Sequence, residues 1–221
     1  MKYYAIIVAG GLGQRMKTSL PKQFIELHGR PILMHTLEKF SQADSSIELI
    51  VVLPKLHHQT WASLCKKHLF KTTHTICEGG TTRFQSVKKG LSFCKERAII
   101  AVHDGVRPLL SSAFILKMYS EAETHKAVIP VLPVLEAIRK VDGNQSQALN
   151  RTHYYSVQTP QCFSSDLLLK SYRQKEQITF TDDASVVESI GEKIHLFEGE
   201  TNNIKITNPK DLLLAEALLK G

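Results

Sequence analysis

The sequence predicts an α/β fold: a mostly parallel sheet with helices on both faces. Three observations predict it. Short apolar, β-branched runs alternate with stretches of helical periodicity over most of the 221 residues. The first run passes directly into a glycine-rich turn, Gly10, Gly11 and Gly13. A later run ends in His103-Asp104. Ligands of such sheets bind beyond the carboxyl ends of the strands, so the glycine turn and Asp104 are expected on one rim.

The elements follow in order. Residues 4–8 are long enough for a buried strand. Residues 31–41 place Ile32, Leu33, Thr36, Leu37 and Phe40 on one helical face. Residues 49–53 are a β-branched run closed by Pro54, and 59–68 suit a helix. A short strand at 75–77 precedes Gly79-Gly80, and Phe84, Val87, Leu91 and Cys94 then fall at helical spacing. Residues 99–102 read as a second buried strand, 112–124 as a helix and 127–131 as a strand. Residues 134–158 break the alternation. Two stretches of strand character flank the turn signal Asp142-Gly143, which predicts a β-hairpin arm. Towards the end, Thr181 is expected to cap a helix reaching Ser189, with Gly191 beyond it. Asn208, Pro209 and Asp211 begin a last Leu/Ala-rich helix. No repeat or low-complexity linker interrupts the chain, so residues 1–221 are read as one domain with 134–158 as its arm.

Composition narrows the function. Hydrophobic residues make up 43%, enough for a core, and no run approaches the roughly 18 apolar residues of a membrane span. The first residues enter a strand without a basic-then-apolar leader, and Cys65, Cys77, Cys94 and Cys162 show no CxxC spacing. Both features point to a reduced, cytoplasmic protein. The net charge of +7 is dispersed, without basic blocks or aromatic–basic interleaving. Small anionic substrates therefore explain the sign at least as well as a nucleic acid does. A basic, non-enzymatic nucleic-acid binder remains a rival of another class. It predicts affinity that falls steeply with salt.

The stretch from Ala5 to Phe24 carries the strongest chemistry. Glycines let backbone N–H groups approach a ligand closely, and Arg15 and Lys22 supply cations, with Pro21 stiffening the loop before Lys22. This reads as a cradle for a nucleoside triphosphate, against the alternative of an ordinary turn beside two exposed cations. It is not a Walker A loop, since no Gly-Lys-Ser/Thr occurs. It is not a dinucleotide fingerprint either, because Met16 stands where a third spaced glycine belongs. Asp104 after its strand suits Mg²⁺, a hard cation that bridges substrate phosphates with few protein ligands. Its alternative role is to cap the loop or pair with Arg107. Cys65, His68, His74 and Cys77 superficially suit zinc, but their spacing is not a standard ligand set. No nucleophilic triad is identifiable. None is needed if the substrate's own phosphate attacks, since such transfers depend on alignment and charge stabilisation.

The pattern Ala-Gly-Gly-x-Gly-x-Arg-Met followed by Pro-Lys-Gln-Phe resembles nucleotidyltransferases that join a sugar or polyol phosphate to a nucleoside triphosphate. Glu78-Gly79-Gly80, Arg83 and Ser86 add to the resemblance. So do Thr159-Pro160-Gln161, Thr181-Asp182-Asp183 and the run from Glu198 to Thr207. Together, and in order, they resemble the 2-C-methyl-D-erythritol 4-phosphate cytidylyltransferases of the non-mevalonate isoprenoid pathway. The resemblance implies the Rossmann-like fold of nucleotide-diphospho-sugar transferases, Mg²⁺ as cofactor, and CTP and a polyol phosphate as substrates. It implies that Gly10, Gly11, Gly13, Arg15 and Lys22 hold CTP, and that Gly80, Arg83 and Ser86 contact the cytidine part. Asp104 would bind the metal near the polyol, and Arg151, Thr181 and Lys205 would hold the substrate phosphate. Catalysis would fall to Arg15, Lys22, Arg151 and Lys205. A homodimer is implied too, with Arg151 carried on the arm into the partner's site.

Two departures stand out. Ala9-Gly10-Gly11 replaces the more usual Ala-Ala-Gly, as in ribitol 5-phosphate cytidylyltransferases, the nearest alternative. Ala137 stands where relatives carry a substrate-contacting threonine. Asn150-Arg151 followed by Tyr154-Tyr155 favours the methylerythritol branch.

Overall fold

The computed structural model describes residues 1–11 and 20–219. Gly13 and Arg15, both assigned above to the triphosphate, lie outside the described residues.

The core is an eight-stranded sheet. Its strands are β1 (Lys2–Val8), β4 (Glu48–Leu53), β5 (Thr75–Glu78), β6 (Ala98–Asp104), β7 (Ala127–Pro133), β10 (Tyr155–Val157), β11 (Gln161–Ser164) and β12 (His195–Glu198). They run in the order β10-β7-β11-β6-β1-β4-β5, with β12 also paired to β7. Strands β6, β1, β4 and β5 are parallel neighbours, with Ala5 opposite Ala101 on one side and Leu49 on the other. β11 is reversed and lies between β6 and β7. The mostly parallel sheet expected from the alternating runs is therefore present, with antiparallel pairing at β11 and β10.

Strand β1 explains why the run buries on both sides. Alternate side chains point to opposite faces. Ala5, Ile7 and Ala9 enter one apolar cluster with Leu33, Leu37, Phe40, Trp61 and Tyr119. Tyr4 and Ile6 enter the other with Val87, Leu91, Phe163 and Val187. The first face is covered by α1 (Ile32–Ala43), α2 (His58–Lys67) and α4 (Ser112–His125). The second is covered by α3 (Arg83–Leu91), α5 (Ser165–Ser171) and α6 (Asp183–Glu188). Ile6 and Ile7 are both fully buried, so truncating either to alanine removes about 2–5 kcal/mol. Helix α3 lies so close to the sheet that a Cβ on Gly90 would meet Ile6 Cγ2 at 2.8 Å.

A small third cluster joins the two-residue strand β2 (Glu26–Leu27), which pairs with β3 (Arg30–Pro31), and the start of α1 to the last helix, α7 (Pro209–Leu218), through Leu27, Ile32, Val106, Ile206 and Ala215. Asn208 caps α7 in a capping box with Asp211, as its sequence predicts.

Two expectations need correction. The helix near 182 is capped by Asp182, not Thr181. The Asp182 side chain accepts from Ser185 N, and the Ser185 hydroxyl reaches back to the Asp182 backbone, so the carboxylate occupies the capping position first. The arm is also shorter than residues 134–158. Its hairpin is β8 (Ile138–Asp142) paired with β9 (Gln145–Leu149) around Gly143, while β10 pairs antiparallel with β7 in the main sheet. The second stretch of strand character thus splits between two sheets, at Asn150 and the short 3-10 turn Arg151–His153.

Candidate functional site

Three loops leave the carboxyl ends of β1, β5 and β6, and each is tied to its neighbour by backbone. Ala9 N donates to Val52 O at 3.0 Å, Gly79 N to Leu53 O at 2.8 Å and Gly105 N to Val8 O at 2.9 Å. Between them lies a cavity of about 230 Å³, lined by Gly10, Gly11, Lys22, Gly80, Arg83, Ser86, Asp104 and Lys205 among others. Eight residues chosen from sequence, scattered over the chain, thus converge on one hollow. Larger hollows exist, one of about 540 Å³ lined by Ser45, Lys71 and their neighbours, but none gathers these groups. Convergent charge and polar backbone, not size, select the site.

The glycines work in two ways. A Cβ on Gly10 would come no nearer than 3.9 Å to Pro54, so packing within the fold does not demand a glycine there. Its bare backbone leaves room over the cradle. A Cβ on Gly80 would lie 2.3 Å from Gln85 Cβ, so the turn itself requires glycine. That turn is ordered by side chains. Gly80 N donates to Ser86 Oγ at 3.1 Å, Thr81 N donates to Gln85 Oε1 at 3.2 Å, and Thr82 Oγ1 caps α3 by accepting from Gln85 N at 3.1 Å. Buried Ser86 is therefore a loop-organising residue in this structure.

Arg83 and Asp104 show how the site holds charge. Arg83 donates to Asp183 Oδ2 at 2.6 Å, and Tyr172 donates to Asp183 Oδ1 at 2.6 Å. Asp183 is fully buried, so its charge depends on these partners. The Thr181-Asp182-Asp183 motif contained this anchor, but sequence reasoning passed over Asp183 because nothing in the spacing links it to Arg83.

Asp104 is nearly buried. Burial alone would raise its carboxyl, but Lys205, Arg83 and Arg107 outweigh burial and hold it far below the ordinary carboxylate range. Lys205 Nζ approaches Oδ2 at 2.8 Å and Arg107 Nε approaches it at 3.5 Å. Behind it, Asp104 N donates to Thr159 Oγ1 at 3.1 Å, and that hydroxyl also meets His103 Nδ1 at 2.9 Å. His103 Nε2 faces Arg107 O at 3.2 Å. A carbonyl only accepts, so Nε2 carries the proton, and the Thr159 hydroxyl donates to Nδ1. Burial pushes the His103 imidazole down to about 4, so it stays neutral at pH 7.

The donor set fits Mg²⁺: among the described residues that line the cavity, Asp104 supplies one ionised carboxylate. Mg²⁺ is commonly held by one or two carboxylates together with substrate phosphates and water. Cys65, His68, His74 and Cys77, by contrast, do not gather into a metal-binding group among the described residues. His74 is instead occupied by Trp61 Nε1 at 2.9 Å.

Two predicted site residues stand apart. Thr181 is exposed and does not line the cavity. Arg151 is exposed at the base of the arm, where its guanidinium donates to Leu135 O.

The family model for 2-C-methyl-D-erythritol 4-phosphate cytidylyltransferase matches residues 3–221. The chain belongs to this family. The cytidylyltransferase of that name from Bacteroides thetaiotaomicron is 48% identical over 219 residues, covering 99% of this chain and all of the relative. That from Clostridium novyi is 43% identical over 226 residues, covering 100% and 97%. Among solved structures, the 4-diphosphocytidyl-2C-methyl-D-erythritol synthase of Anaerococcus prevotii superposes with a TM-score of 0.83 at 30% identity, over 100% of this chain and 97% of its own. The 2-C-methyl-D-erythritol 4-phosphate cytidylyltransferase of Thermus thermophilus gives 0.81 at 31% identity, with both chains fully covered. The cytidylyltransferase family thus spans the whole chain, its α/β sheet included, as the ordered set of motifs implied.

Proposed function

We propose that this protein transfers the cytidylyl group of CTP to 2-C-methyl-D-erythritol 4-phosphate, releasing pyrophosphate in isoprenoid precursor synthesis. The observation that carries this reading is the convergence of the glycine backbone, Lys22, Arg83, Asp104 and Lys205 on one hollow at the strand ends. Substrate phosphate oxygen attacks the α-phosphorus of CTP, the bond to the β-phosphate oxygen breaks, and pyrophosphate leaves. Gly10 and Gly11 offer close backbone approach to the triphosphate. Lys22 and Arg15 stabilise charge as it builds on phosphorus oxygens. Gly80 and Ser86 hold the loop against the cytidine, with Arg83 braced by Asp183. Lys205 and Arg151 align the attacking phosphate, and Thr181, which does not line the cavity, is read with them as a contact to that phosphate. Asp104 would hold Mg²⁺, which supplies charge neutralisation on the phosphates when bound.

The working form is read as a homodimer. Leu135, Val141 and Tyr155, on and beside the arm, are 76%, 68% and 50% exposed, and an isolated two-stranded ribbon is marginal in water. A second copy would cover them and bring Arg151 to the neighbouring site. A cytoplasmic location fits four free cysteines, and among the described residues no helix is long and apolar enough to cross a membrane.

A pyrophosphate-release assay over four nucleoside triphosphates and several polyol phosphates tests the reading. The expected pair is CTP with 2-C-methyl-D-erythritol 4-phosphate. Preference for ribitol 5-phosphate would move the chain to the neighbouring activity, and Ala137 is the residue to revert first. No release with any pair would overturn the reading.

A further inference from the structure

We infer that Glu121, His125 and His195 form a binding site for one divalent transition-metal ion of the zinc class, at the edge of the sheet opposite the nucleotide cavity. The three residues offer a carboxylate oxygen and two imidazole nitrogens that all lie within 4.8 Å of one another. Nitrogen and oxygen ligands bind zinc at about 2.0–2.2 Å in a tetrahedral arrangement, so two ligands of one ion lie about 3.3–3.6 Å apart. Bringing the three atoms to that separation takes side-chain rotation, for which His125 is exposed and Glu121 and His195 are half-buried.

The fold sets these side chains together. Glu121 and His125 are one helical turn apart on α4 and already paired, His125 Nε2 lying 3.6 Å from Glu121 Oε2. The chain then reverses at Lys126, in a left-handed conformation, and enters β7. His195 opens β12, which pairs parallel to β7 with His195 opposite Val128. The His125 and His195 rings lie face to face, centroids 3.7 Å and planes 1° apart. An ion here needs only the two rings to turn so that their nitrogens converge. His125 also sits in the last turn of α4, where the carbonyl end of the helix favours a cation. Two imidazoles with one carboxylate suit borderline ions such as Zn²⁺ or Ni²⁺, whereas Mg²⁺ prefers oxygen alone. The ion would pin helix α4 to strand β12, two elements joined here by no covalent link.

The test is calorimetric titration of Zn²⁺ into the full-length protein, stripped with chelator and kept in excess Mg²⁺ so that hard oxygen sites are filled. The wild type is compared with His195→Gln, His125→Ala and Glu121→Gln, and thermal unfolding is followed with and without Zn²⁺. We expect one zinc site in the wild type whose affinity falls by at least about tenfold in each variant, which is the lower end of what losing even an outer partner of a ligand costs. We also expect Zn²⁺ to raise the melting temperature of the wild type but not of His195→Gln. Far-ultraviolet circular dichroism separates misfolding from lost binding. Equal affinity and equal thermal shift in wild type and folded variants would overturn the site, as would no binding by the wild type.

Discussion

Lys205 Nζ lies 2.8 Å from Asp104 Oδ2, joining the strand end of β6 to a residue about a hundred positions later. The pair keeps a nearly buried carboxylate ionised at the cavity wall while leaving the lysine half exposed. The lysine proposed to align the substrate phosphate is thus tethered to the carboxylate proposed to hold the metal, and substituting either residue alters both.

Replacing Asp104 by Asn should abolish Mg²⁺-supported turnover, because an amide lacks the charge a hard cation requires. It also leaves Lys205 and Arg107 facing each other without a counter-charge. Turnover is measured across a Mg²⁺ titration and after EDTA. Activity indifferent to chelator would remove the metal from the mechanism.

Lys22→Ala and Arg15→Ala should each lower turnover by at least about a hundredfold while the fold survives, since losing one preorganised charge contact costs roughly 2.7–4 kcal/mol of transition-state stabilisation. Single-turnover rates and circular dichroism together check this. Near-normal rates would sink the cradle reading.

Arg83→Ala should behave differently, because among the described residues it leaves the fully buried Asp183 with Tyr172 as its remaining side-chain partner. Removing one partner of a buried pair costs about 3–5 kcal/mol. Urea unfolding should therefore show a large stability loss in addition to weaker CTP binding, and Asp183→Asn in the same background should recover part of it. Unchanged stability in Arg83→Ala would mean that the pair is not needed to hold α3 and α6 together.

Acid should weaken the fold in two separate windows. His103 is buried and its imidazole is pushed down to about 4, below its ordinary value of about 6.5. The unfolded chain then binds more protons between those values, so stability falls as pH drops from about 6.5 to 4, by about 3 kcal/mol. Asp104 acts lower. Its depressed carboxyl contributes stability above the ordinary carboxylate value, and that contribution is lost as pH falls below about 4. Unfolding free energies measured from pH 7 to 4 should slope less in His103→Gln than in the wild type. Parallel slopes would show that His103 is not the group being titrated.

Mixing Arg151→Ala subunits with Lys22→Ala subunits should restore part of the activity that each lacks alone. In a mixed dimer one site regains both cations if Arg151 serves the neighbour. Mass measurement confirms subunit exchange. Inactive mixtures with exchange confirmed would place Arg151 in its own subunit's site.

The sheet was legible because β1, β4 and β6 are interior strands, and interior strands are apolar on both faces. That Gly10, Gly11 and Lys22 line one cavity was legible because phosphate cradles need glycine and cations close in sequence to a strand end. What escaped was long-range. Asp183 binds Arg83 across a hundred residues, and Thr159 reaches the Asp104 backbone from the loop before β11. The Thr181 cap was displaced by a neighbouring carboxylate that competes for the same backbone donor. The arm's second strand divided because β10 had an open edge of β7 to join.

The neck of the arm has a consequence for how this chain can change. Val134 N donates to Tyr154 O at 3.2 Å, directly where β7 and β10 part company. The excursion between them therefore leaves and re-enters the sheet through one closed gate. A segment held in that way is an exchangeable cassette. Relatives could trade its length, its tip or its surface without disturbing the strands that carry the nucleotide loops. Diversity in assembly could thus accumulate at this one doorway while the catalytic rim stays fixed.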